Sequence, residues 1–104
     1  MEQFSVHRTL GRRRQAAPFL VIVQSERLAG LATRVVIPLI PGYAGEFDAD
    51  LAPVLEIEGL PLRLAPWQIF TIPVGALGPA VGSLATDTDS AMIIRAIDAL
   101  ISQD

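Results

Sequence analysis

Apolar residues are concentrated in two blocks near the middle of the first half of the chain. One is Phe19-Leu20-Val21-Ile22-Val23, followed by Gln24-Ser25. The other is Thr33-Arg34-Val35-Val36-Ile37-Pro38-Leu39-Ile40. Both are rich in β-branched and aliphatic residues, of strand length and bounded by breakers, which predicts two strands. Seven residues separate them, enough for a loop. Each run is too apolar for a strand with one wet face, so both faces should be covered. The second strand is expected to end at Pro38, because an interior proline removes a ladder donor.

Elsewhere the period is shorter. Phe4-Ser5-Val6-His7 alternates and predicts a half-exposed strand, with Gly11 to Gln15 a polar loop behind it. Pro41-Gly42 marks a turn, and Tyr43 to Asp50 reads as loop or a ragged helical turn. Val54 to Glu58 and Leu62 to Leu64 alternate around Gly59-Leu60-Pro61, which predicts a hairpin. Trp67 to Ile72 predicts a further short strand. Gly75, Gly78 and Pro79 mark a connection, with one helical turn expected over Ala80 to Leu84. The last segment changes character. Thr86-Asp87-Thr88-Asp89 supplies N-cap oxygens and negative charge, and Ser90 to Ile101 lacks glycine and proline. Ile93, Ile97, Leu100 and Ile101, widened by Ile94, form an apolar stripe at helical spacing. Five to six short strands closed by one terminal helix predict a mainly β, partly open small barrel. The strand–helix alternation of a parallel sheet is missing.

Composition narrows the functional classes. A chain of 104 residues is expected to form one domain, residues 1–104. Mean hydropathy is +0.45, so apolar surface is left over, and a homodimer is the expected place for it. No apolar run approaches the roughly 20 residues of a spanning helix. No basic, apolar leader opens the sequence, so the cytoplasm is the expected compartment. There is no cysteine and one histidine, His7, which excludes disulfides, thiolate chemistry and the usual zinc sites. All eight cations are arginine, so lysine Schiff bases are excluded, and no cofactor is expected.

Charge is uneven. Residues 1–34 carry six arginines against Glu2 and Glu26, whereas residues 35–104 carry Arg63 and Arg95 against nine acids. Arg12-Arg13-Arg14 forms a basic run; it reads as a solvated loop rather than a nucleic-acid site, and would attract an acidic partner segment. No nucleophile elbow or phosphate loop is present. His7 has no motif around it and reads as a strand surface residue. Glu56 and Glu58 share a strand face, an arrangement commoner as solvated carboxylates than as a catalytic pair. Trp67, after Pro66, reads as core or interface packing. No catalytic residue is assigned.

Six phrases recur in an order and spacing that resemble the CcdB family: QFxV from Gln3, FxVxVQS from Phe19, RxVIPL from Arg34, LxPVxxIxG from Leu51, IPVxxLGxxVxxL from Ile72, and Ala96-Ile97. They span Gln3 to Asp98. CcdB proteins are toxins of bacterial toxin–antitoxin pairs that act on DNA gyrase. The resemblance implies an SH3-like antiparallel β-barrel with a C-terminal α-helix, a homodimer, a cognate CcdA-like antitoxin and the gyrase A subunit as target. It implies no direct nucleic-acid binding and no membrane association.

By the same resemblance, antitoxin contacts fall on Gln3, Phe4 and Ser25, with ordinary core packing an equal reading for Phe4. Gyrase contacts fall on the three positions where family members carry Trp, Gly and Ile. Here those are Ser102, Gln103 and Asp104. Without the indole, weak or absent poisoning of an enterobacterial gyrase is expected. Two alternatives stay open: a non-poisoning antitoxin-binding module, and a ribonuclease toxin of the MazF and Kid type, with Arg8, Arg34 and Arg63 as its candidate cations.

Overall fold

A computed structural model describes residues 2–42 and 48–102. The described chain contains seven strands: β1 (Ser5–Arg8), β2 (Phe19–Ile22), β3 (Thr33–Pro41), β4 (Val54–Ile57), β5 (Leu60–Leu64), β6 (Phe70–Pro73) and β7 (Ala80–Ser83), followed by one helix, α1 (Asp87–Ile101). All pairings are antiparallel, in the order β4-β5-β3-β2-β1-β7. β6 pairs with β3 on the edge that β5 also uses, β6 along Thr33–Val36 and β5 along Leu39–Pro41.

The sheet curls on itself. Leu55 and Ile57 from one end share a core with Val6 and Val81 from the other. β2 is buried at all four positions, and its alternation divides two apolar layers. Phe19 and Val21 face the main core with Ile37, Leu39 and Leu64. Leu20 and Ile22 face a smaller cluster with Val36, Phe70, Ile72 and Leu77. Both faces are covered, as the apolar runs predict. The mainly β half-barrel with one terminal helix matches the expected fold class.

The helix docks through Ile93 and Ala96, with Met92 and Ile97 at its margin. Thr86 caps it, its hydroxyl accepting from the Asp89 N–H at 3.1 Å. The expected stripe shifts toward the N-terminus. Ala96, fully buried in the main core, takes the place of Ile101 in the contact. Ile94 and Ile101 are 52% and 76% exposed.

Five local expectations give way. β3 does not stop at Pro38 but runs to Pro41. The Pro38 carbonyl accepts from Ala65 N–H at 3.0 Å, so its nitrogen also points to that edge, into the interval between β6 and β5, and no bond to β2 is lost. The hairpin turns at Glu58-Gly59, both at positive φ, 52° and 79°, as a two-residue type I′ loop requires. Pro61 then falls inside β5 opposite Glu56, one step from the closing pair, where no inter-strand donor is needed. Gly11–Arg14 is a 3-10 turn rather than loop. Pro66–Gln68 is also a 3-10 turn, started by the fixed φ of proline, so the strand there begins only at Phe70. Ala80–Ser83 is a strand, not a helical turn, because it completes the open edge of β1. The expectation over Tyr43 to Phe47 lies outside the described residues.

Candidate functional site

The N-terminal turn builds the first candidate surface. Ser5 N–H bonds to the Glu2 carbonyl, closing a four-residue turn with Phe4 at φ 67°. That conformation is ordinarily left to glycine and costs a bulky residue about 1–3 kcal/mol. The strain is held by bonds on both sides, Phe4 N–H to the Ile22 carbonyl and Leu84 N–H to the Phe4 carbonyl. Phe4 is thereby turned into the main core. Gln3 donates its side-chain amide to the Val23 carbonyl at 3.1 Å. Ser25 caps the following 3-10 turn by accepting from Arg27 N–H at 3.2 Å. Gln3 and Ser25 therefore lie at one end of the β1–β2 pair, half-buried, with Glu26 and Arg27 exposed beside them. Ser102 is at the far end of α1, where its N–H closes the last turn on Asp98. Gln103 and Asp104 lie outside the described residues.

His7 is buried, not a surface residue. Its Nδ1 is 2.9 Å from the Gly78 carbonyl, which can only accept, so Nδ1 donates there, and Nε2 lies 2.9 Å from the Ser5 hydroxyl. A serine, an imidazole and an orienting acceptor are thus in line, as in hydrolase triads. Neither Ser5 nor His7 lines the hollows described below, so the arrangement ties β1 to the connection before β7.

The three candidate cations are engaged. Arg34 is buried and donates to the carbonyls of Ala29, Leu31 and Thr33, closing the loop before β3. Arg63 is buried and donates to the Ala52 carbonyl at 2.6 Å. Arg8 forms a forked pair with Glu58 at 3.1 and 3.2 Å. Sequence reasoning also missed Gln24. It is buried, donates to the carbonyls of Leu28 and Thr33, and accepts from Val35 N–H. The signal was present as one amide at the end of an apolar run.

The described surface has its basic focus at Arg12, Arg13 and Arg14, all exposed on the 3-10 turn between β1 and β2. The Arg13 guanidinium lies 4.5 Å from the Phe70 ring centre. Beside it a hollow of about 330 Å³ opens between Ala16, Ala17, Leu20, Pro38 and Phe70. Among the described residues no His, Asp or Glu cluster could hold a metal. No helix there is long and apolar enough to cross a membrane.

Residues 3–102 match the family described as CcdB protein. The chain belongs to the CcdB family. The CcdB resemblance of the six phrases is therefore confirmed across nearly the whole chain. No curated protein matches the sequence closely. Among solved structures, this CcdB-family chain is similar to the "Mycobacterium tuberculosis toxin MazF-mt6", at 18% identity and TM-score 0.75, covering 96% of this chain and 98% of that one. It is also similar to an "Endoribonuclease in complex with its cognate antitoxin from Mycobacterial species", at 19% identity and TM-score 0.79, covering 100% and 97%. At identities this low, the similarity to these structures shows a shared fold alone.

Proposed function

We propose that this protein is the toxin of a toxin–antitoxin pair, a homodimer that is neutralised by a cognate antitoxin and acts by binding DNA gyrase rather than by catalysis. The family match over residues 3–102 carries the reading. A solved structure of the same fold described with its cognate antitoxin supports the partner. Gln3 and Ser25, brought to one end of the β1–β2 pair, are the antitoxin contacts, with Phe4 holding that turn from the core. The positions of Ser102, Gln103 and Asp104 are the gyrase contacts. Losing a stacked aromatic anchor there typically costs about 2 kcal/mol or more, roughly thirtyfold in affinity.

The fold neighbours are described as endoribonucleases, so RNA cleavage is the second reading. Against it stand His7, spent on Ser5 and Gly78, and Arg34, spent on three carbonyls. Induced expression in a bacterial host separates the two. Gyrase-linked DNA breaks, strengthened when Ser102-Gln103-Asp104 is replaced by Trp-Gly-Ile, support the gyrase reading. Specific RNA cleavage by the purified protein, with no DNA breaks from either version, overturns it. Light scattering should return twice the chain mass at micromolar concentration.

A further inference from the structure

The end of the β1–β2 pair opposite Gln3 and Ser25 carries a charge that runs against that of the whole chain. Gln3 to Ser25 and Gly59 to Thr86 contain no Asp or Glu, so all 11 acids fall elsewhere. The hollows flanking the Gly11–Arg14 turn are lined from these two segments alone. Glu58 reaches in from outside them and is matched by Arg8. Arg12, Arg13 and Arg14 have no carboxylate partner among the described residues, so three positive charges stay uncompensated on one turn.

The shape there is a tip rather than a groove. Leu10 to Ala16 are exposed without a break, and Gly11, at φ 75°, bends the chain. Leu10 is the large apolar side chain of this tip and is 54% exposed. It borders two hollows, one reaching Arg12 and Arg13, the other Arg8 and Arg14. Pro73 and Pro79, both exposed, add apolar surface to these hollows. A convex tip with an apolar side chain ringed by guanidinium groups suits the interfacial zone of an anionic bilayer. There the cations meet lipid phosphates, and the aliphatic group enters the acyl boundary.

We propose that this tip docks the protein reversibly on an anionic lipid surface, with Leu10 inserted and Arg12, Arg13 and Arg14 on the headgroup phosphates. Single-stranded nucleic acid fits less well. It is held by stacking bases on aromatic side chains, and Thr9 to Ala17 carries none. The nearby Phe70 ring already lies under Arg13. The inference rests on neither gyrase binding nor toxicity.

The test uses the full chain and vesicles of phosphatidylcholine with or without phosphatidylglycerol, read by sedimentation. The protein should partition onto the mixed vesicles alone and be released as salt rises. Arg12→Gln and Arg14→Gln should each weaken the partition about fivefold, and Leu10→Ser by about as much. Arg95→Gln, at an exposed position on α1, should leave it unchanged. These positions are all on the surface, so melting temperatures should match that of the native chain. The chain has no cysteine, so Leu10→Cys takes a single environment-sensitive dye, which should shift to the blue on the mixed vesicles. The same dye at Ile94→Cys should not shift. A blue shift at Ile94 alone would place the contact on α1 and overturn the proposal. So would equal partition onto both kinds of vesicle, or indifference to both arginine substitutions. Release by inorganic phosphate beyond that caused by chloride of equal ionic strength would replace the lipid surface with a free-anion site. Release by oligouridylate at a phosphate concentration below that of the lipid would replace it with RNA.

Discussion

Gly78 lies against the backbone of Arg8 so closely that a β-carbon at 78 would overlap the Arg8 carbonyl oxygen, with the carbonyl carbon at 3.0 Å. Arg8 N–H bonds to the next carbonyl, that of Pro79, at 2.9 Å, and His7 reaches the Gly78 carbonyl beside it. The obstacle is backbone on both sides, so neither can move aside without breaking these bonds. Gly78→Ala should therefore destabilise the protein by about 1–3 kcal/mol, read as a lower urea midpoint. An unchanged midpoint would mean that the connection before β7 is slack.

The Glu58-Gly59 turn makes the opposite case. Glu58 sits at positive φ, where asparagine is better tolerated, and its ion pair with Arg8 is half-exposed. Glu58→Asn should be neutral or stabilise by up to about 1 kcal/mol, since an exposed pair contributes little. A loss of more than that in thermal unfolding would show that the Arg8 pair outweighs the turn.

Thr9 carries the buried side-chain oxygen that lacks a partner among the described residues. Thr9→Val keeps the shape and removes the unsatisfied hydroxyl, so stability should rise by about 1 kcal/mol. Destabilisation by a similar amount would indicate that the hydroxyl is bonded in solution.

Adjacent isoleucines on α1 should behave differently. Ile93 is fully buried and Ile94 is about half exposed. Ile93→Ala should cost about 2–5 kcal/mol. Ile94→Ala should fall within about 0.5 kcal/mol, as surface changes do. Equal losses in chemical denaturation would place Ile94 in an interface between copies.

What was legible in the sequence followed from local periodicity. The two apolar blocks, the Val54–Leu64 hairpin and the Thr86 cap depend on neighbours a few residues away, and each forms, although β3 runs on to Pro41 and the hairpin turns at Glu58-Gly59. What was not legible depends on distant partners. Pro38 is tolerated because the edge it faces is interrupted between Phe70 and Leu64, more than 20 residues along. Ala80–Ser83 is a strand because β1 offers it an edge. His7 was read as exposed because its acceptor, Gly78, is 71 residues away. For the candidate surfaces, Gln3 and Ser25 were visible only through family resemblance. The apolar hollow under Arg13 joins three chain segments that no single stretch of sequence connects.

β3 borders β2 along one edge and holds β5 and β6 end to end along the other. Every route from the first half of the sheet to the β4–β5 hairpin crosses it. Such a chain has no fragment able to persist once that strand is withdrawn. Limited proteolysis should accordingly pass from intact protein to small peptides without a stable intermediate band, and the amides of Val36 to Leu39 should exchange with solvent only when the whole molecule opens.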